Sequence, residues 1–116
     1  MSFRTIPLFG MPTLSPEEVK GRLPHSDFYV FDNNPERVYQ MHHLPGAIHL
    51  DPTLYSVSSL PSDRGATLVF YSSGPLCGAA PHAARKAGSL GYPRVFVMAA
   101  GLTGWMDRGF PTEKGE

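Results

Sequence analysis

Apolar and polar positions along this chain fall into short blocks rather than long amphipathic runs. Phe28-Tyr29-Val30-Phe31-Asp32 is aromatic and β-branched and too short for a helix, so it predicts a buried strand that ends on a carboxylate. Thr67-Leu68-Val69-Phe70-Tyr71 is the strongest strand signal and runs straight into Ser72-Ser73-Gly74-Pro75-Leu76-Cys77, a loop by composition. Ala47 to Leu50 and Arg94 to Met98 predict two more strands, with His43-Leu44-Pro45-Gly46 a turn before the first of them. Helical spacing fills the intervals. Ser15-Pro16-Glu17-Glu18 combines a cap, a first-turn proline and a capping-box glutamate; with Val19 and Leu23 it predicts a helix over 16–23, closed by Pro24. Glu36 to Met41 fits one or two helical turns, and Thr53 to Leu60 reads as weakly helical, with Leu54, Val57 and Leu60 on one side. Ala80, Ala83, Ala84 and Ala87 mark a helix that tolerates Pro81 only in its first turn and stops at Gly91. Leu102 to Arg108 predicts a short helix around Trp105, whereas Pro7 and Pro12 leave residues 1–13 irregular or strand-like.

Short apolar strands alternating with helices require crossover connections. They predict an α/β fold with a central, mostly parallel sheet flanked by helices. In such sheets ligands bind beyond the carboxyl ends of the strands, which directs attention to Asp32 and to Tyr71-Ser72.

Composition narrows the function classes. The 116 residues are 41% apolar, with seven Phe, five Tyr and one Trp, enough for one core and one domain over 1–116. Ten basic and ten acidic side chains cancel, which removes any general electrostatic attraction to nucleic acid or to an anionic membrane. No apolar run approaches the roughly 18–20 residues that a membrane helix needs. The first residues lack the pattern of a secretory signal, and a single cysteine, Cys77, fits a reducing compartment; the expectation is a cytoplasmic protein. Cys77 alone forms no internal disulfide and no thiolate metal site. Adjacent histidines such as His42-His43 point different ways, so neither a metal nor another cofactor is expected.

The strand–loop–helix of residues 67–90 carries the candidate chemistry. Such an arrangement turns consecutive backbone N–H groups into one concavity and adds the positive end of a helix dipole, a bowl suited to a thiolate, a persulfide, a sulfonate or a phosphate. Ser73 and Gly74 are small enough for close backbone approach, and Pro75, Leu76 and Gly78 complete the loop. An ordinary strand-to-helix turn has the same composition, so the residues alone leave both readings open.

Five segments in fixed order narrow the choice. They are SPEEV at 15–19, FDNNPERVYQMHHLPGAIHL at 31–50, LVFYSSGPLC at 68–77, AAGLTGW at 99–105 with Ala100 in place of a glycine, and RGFPTE at 108–113. Together they resemble the rhodanese-like family over residues 14–113. The resemblance implies a three-layer α/β domain and a sulfurtransferase chemistry. In that chemistry a loop cysteine takes sulfane sulfur from a donor, such as thiosulfate or a protein persulfide, and passes it to a thiophilic acceptor. The family's cysteine corresponds here to Ser72, which cannot hold a persulfide. A basic residue is missing near Cys77, and Asn34 stands where an arginine is common after the strand-ending aspartate. Both departures speak against strong binding of thiosulfate, and the loop lacks both ends of the longer loop of the related phosphatases. Three readings result: an inactive domain kept as a binding module for an anion or a protein partner, an engineered or variant replacement at Ser72, or chemistry at Cys77. Cys77 lies at the start of the following helix, where thiol pKa values are depressed, so redox sensing belongs with this third reading. Asp32 and His43 are expected to support the site structurally, since a carboxylate beside a thiolate opposes its ionisation. His82 and Arg85, near the start of the post-loop helix, are expected to face solvent.

Overall fold

The computed structural model describes residues 9–115; the expectation for residues 1–8 lies outside them. Four strands, β1 (Phe28–Asp32), β2 (Ile48–His49), β3 (Thr67–Tyr71) and β4 (Val95–Val97), form one parallel sheet in the order β2-β1-β3-β4. Helices α1 (Pro16–Arg22), α2 (Glu36–Met41), α3 (Ala79–Ser89) and α4 (Gly101–Asp107) cover it. Thr13 adds a parallel bridge to Val97, so the stretch before α1 is strand-like where it is described.

Side-chain alternation in the strands splits the core in two. Leu68 and Phe70 of β3 pack with Phe31, Val95, Val97 and the alanines of α3. Val69 and Tyr71 face the other way, with Val30, Val19 of α1, Tyr39 of α2 and Trp105 of α4. Four alanines on one α3 face let that helix approach the sheet closely, and all four are buried. At α1 the capping box forms as the sequence suggests: Ser15 Oγ accepts from Glu18 N at 3.0 Å and Glu18 Oε1 accepts from Ser15 N at 2.8 Å.

One element differs from its expectation. Residues 53–60 form no α-helix, only a turn and a single 3-10 turn at Val57–Ser59. Asp51 Oδ1 accepts from both Thr53 N and Leu54 N, at 2.9 and 2.8 Å, which closes a single turn that no α-helix continues. Leu54 is exposed, and the segment is tied to α3 instead by Tyr55, whose hydroxyl donates to Ala83 O at 2.8 Å.

Candidate functional site

The carboxyl ends of β1 and β3 lie side by side, with Asp32 paired to Tyr71. Beyond β1 the chain turns inward. The Tyr71 hydroxyl donates to Asp32 Oδ2 and accepts from Leu44 N at 3.1 Å, while Asn34 N donates to Asp32 Oδ1 at 2.7 Å. Asn33 N donates to Tyr71 O at 2.8 Å and Asn33 Nδ2 to Leu50 O at 3.1 Å. Asn34 O accepts from His49 Nε2 at 2.7 Å. All three residues, Asp32 to Asn34, are buried. Burial pushes the Asp32 carboxyl above its ordinary range, although hydrogen bonds from Tyr71 and Asn34 oppose the shift. Burial, with the neighbouring Asp32 charge, likewise pushes the Tyr71 phenol up.

His43 belongs to this inward cluster rather than to the loop. Its Nδ1 bonds Tyr39 O at 2.7 Å, its ring stacks on Tyr39 at 3.9 Å between centroids, and its Nε2 faces Glu113 at 3.8 Å. His42 Nδ1 bonds Thr112 Oγ1 at 3.0 Å, so the two histidines diverge.

Beyond β3 the chain stays open. Ser72 is buried, Ser73, Pro75 and Leu76 are exposed, and Cys77 is part-buried. Cys77 N donates to Gly74 O at 3.1 Å, closing a turn that brings Cys77 back over Ser72 and Ser73. Gly78 caps α3 without a side-chain hydrogen bond, leaving the first amides of that helix free for another acceptor. Burial pushes the Cys77 thiol up, but hydrogen bonds from the Ser72 hydroxyl, the Ala79 amide, the Ser73 hydroxyl and the Ser73 backbone outweigh it and hold the thiol below its ordinary value.

Helix α4 braces the loop from behind. Leu102 N donates to Ser72 O at 2.8 Å and Thr103 N to Ser73 O at 3.1 Å, so both loop carbonyls are held by amides of α4. Gly101 (φ +66°) lies against the same backbone: a Cβ there would sit 2.6 Å from Gly74 N and 2.7 Å from Ser73 O. Sequence reasoning gave Gly101, Leu102 and Thr103 no role in the site. It also missed Tyr71 as the partner of Asp32, although their shared polarity at the ends of adjacent strands is a usable signal.

Two grooves of about 540 and 550 Å³ open elsewhere, one beside Phe28, Tyr29 and Ile48, the other beside Arg22 and Arg94, and no loop residue lines either. The sulfur therefore sits on an open loop rather than at the bottom of one of these grooves. No helix among the described residues is long and apolar enough to cross a membrane.

A family model for the rhodanese-like domain matches residues 15–108. The BH2092 protein of Bacillus halodurans superposes with a TM-score of 0.81 at 21% identity, covering 88% of this chain and 76% of that one. Thiosulfate sulfurtransferase from Pseudomonas aeruginosa gives 0.78 at 25% identity over 90% of this chain, which spans 19% of that protein. SseA of Escherichia coli, a 3-mercaptopyruvate sulfotransferase, gives 0.76 at 18% identity, covering 89% of this chain and 50% of its own. No curated protein matches this sequence.

Proposed function

This chain belongs to the rhodanese-like domain family, and on that premise we propose that it is a sulfurtransferase-type domain whose sulfur is carried by Cys77 rather than at position 72. The supporting observation is the place of Cys77, at the end of the turn closed by its own N and Gly74 O and directly before α3, where hydrogen bonding from Ser72, Ala79 and Ser73 holds the thiol below its ordinary value. A thiolate is the nucleophilic form of cysteine, and these donors favour it. Ser72 then acts as a hydrogen-bond donor to the sulfur and not as a nucleophile.

The chemistry is a displacement at sulfur with no net change of redox state. The Cys77 thiolate attacks the sulfane sulfur of a donor and forms a new S–S bond as the donor's own bond to that sulfur breaks. The electron pair leaves on the donor fragment, as sulfite from thiosulfate or as a thiolate from a persulfide. An acceptor thiolate next attacks the outer sulfur, and Cys77 leaves as the thiolate. Along this path the Ala79 amide and the two serine hydroxyls meet negative charge both on the attacking sulfur and on the departing one.

Intact mass after incubation with a sulfane-sulfur donor tests the reading. The wild-type chain is expected to gain sulfur and Cys77→Ala to gain none. Turnover that persists in Cys77→Ala would refute the role of Cys77. A non-enzymatic binding module is the second reading, favoured by the lack of any charged side chain in residues 72–78. A folded wild-type protein that takes up no sulfur from any donor selects it.

A further inference from the structure

At the amino ends of the strands, opposite the loop, two arginines stand together without an acid to meet them. Phe28 and Thr67 open β1 and β3 side by side, Arg94 directly precedes β4 and Arg22 ends α1. All four line the groove of about 550 Å³, which no residue of 72–78 enters. That volume falls in the range of small-molecule sites. Both guanidinium groups are held by uncharged neighbours. Arg94 Nε donates to Oγ1 of buried Thr67 at 3.1 Å. Arg22 lies over the Phe28 ring, 5.7 Å from its centroid.

Acids are close by, yet they are engaged elsewhere. Among the described residues the ion pairs are His25 with Asp27, His43 with Glu113 and Arg108 with Glu17. Asp27, the acid that lines the groove, meets His25 Nδ1 at 2.5 Å. Asp63 turns its Oδ1 onto Gly65 N at 2.8 Å. Main-chain amides at this end are spent as well: Thr67 N donates to Asp27 O at 2.9 Å and Phe28 N to His25 O at 3.3 Å. What the groove offers a ligand is therefore two forks of charged N–H donors, with only Arg94 Nε already bonded. A single exposed arginine is ordinary on a protein surface. Two in one groove, each fixed in place and neither neutralised, suit an oxyanion that both can grip.

We propose that this groove binds a small organic phosphate, with Arg22 and Arg94 on the phosphate oxygens and Leu23 and Pro24 against the organic group. A carboxylate brings one charge and two oxygens, which a single fork satisfies. A phosphate monoester brings close to two charges and three acceptor oxygens, enough for both forks. Leu23 and Pro24 supply the apolar wall of the same groove. The site lies at the other end of the sheet from Cys77 and makes or breaks no covalent bond, so it holds whether or not the loop carries sulfur.

The test titrates the full, isotope-labelled chain with phenyl phosphate at about pH 7.5, where the dianion prevails, and follows the amide shifts by NMR. Saturable shifts are expected at Gly65, Thr67 and Val95 with a Kd of about 1 mM, and benzoate should bind about tenfold more weakly. Arg94→Gln, at an exposed side chain, is expected to weaken phenyl phosphate about tenfold, the scale of one charged hydrogen-bonded contact. Arg94→Lys should recover only part, because it restores the charge without the fork. Thr67→Val leaves every charge in place but releases Arg94, and a several-fold loss is expected. Arg37→Gln removes an equal charge from exposed α2 outside the groove and should change nothing. The same spectra report folding; should Thr67→Val unfold, the two Arg94 variants decide alone. The proposal is overturned by shifts that do not saturate by about 10 mM, or by shifts confined to residues 74–77. Benzoate as tight as phenyl phosphate, or a loss in Arg37→Gln equal to that in Arg94→Gln, overturns it too.

Discussion

Strands β1 and β3 are neighbours and end at the same level, yet the segments beyond them are opposite in kind. After β1, Asp32, Asn33 and Asn34 are buried, and their main-chain and carboxyl groups are bonded to Tyr71, Leu50 and His49. After β3, the chain stands open, with Leu76 in solvent and a part-buried thiol that its loop holds below its ordinary pKa. By general rule both positions are where an α/β protein places ligand-binding groups. The difference lies in who supplies the hydrogen bonds. The carboxylate is claimed by a tyrosine of the adjacent strand and by its own following amide, so it is spent on structure. The thiol is served by groups of its own loop and helix, and it is itself only part-buried.

If the two ends are independent, each should be breakable alone. The largest effect is expected from Gly101→Ala, on the loop side. A Cβ at 2.6 Å from Gly74 N meets backbone that cannot swing aside, on a residue already at positive φ. Overpacking and backbone strain together predict a loss of about 3 kcal/mol in urea unfolding. The same shift of residues 73–74 moves donors off Cys77, so the midpoint of its alkylation-rate profile should rise. A variant as stable as wild type with an unchanged thiol would show that α4 does not brace the loop.

Tyr71→Phe addresses the closed side. It removes the donor to Asp32 Oδ2 and the acceptor of Leu44 N, both buried, at an expected cost of about 2 kcal/mol. The deficit should depend on pH with a definite sign. Burial raises the folded-state pKa of Asp32, so its favourable contribution is full below the unfolded value and is lost as pH rises through the raised folded value. Without the Tyr71 hydroxyl that folded value rises further, and the deficit grows from acid toward neutral pH. The Cys77 alkylation profile should not move. Urea unfolding at a series of pH values, beside alkylation of the same variant, checks both halves; a shifted thiol would mean that the two strand ends are coupled.

The fold was largely legible because its strands are short apolar runs and its helices carry explicit signals. The ranges of β1, β3 and α2 coincide with the runs that announce them, and Ser15 and Glu18 form the box their spacing suggests. Residues 53–60 misled because Leu54, Val57 and Leu60 imitate helical spacing, whereas the structure buries Tyr55 and Leu60 and gives the first amides to Asp51. The loop was legible as a unit, and its relation to the family could be read from five segments in order. The interior of the loop was not legible. That Ser72 and Ser73 lower the Cys77 thiol depends on the turn closed by Cys77 N and Gly74 O. That Gly101 excludes a side chain depends on two connections, after β3 and after β4, touching in space. Neither relation leaves a periodic trace in the sequence.

The smallest expected effect isolates the open side most sharply. Ser72→Ala removes one hydroxyl and leaves the loop backbone, and Ser72 O keeps its bond to Leu102 N. Unfolding should change by about 1 kcal/mol or less, the net worth of a single hydrogen bond. The thiol, however, loses the hydrogen-bonding partner that lowers it most. Since that bond favours the thiolate, its loss must raise the pKa. The midpoint of the iodoacetamide rate against pH should therefore climb from below the ordinary thiol value, about 8.5, toward it. At a fixed pH beneath both midpoints the thiolate fraction, and with it the loading of sulfur, should fall in the same proportion. If Ser72→Ala leaves the profile where it was, the serine is only a filler beneath the loop, and the contrast between the two strand ends would have to rest on Ala79 and Ser73 alone.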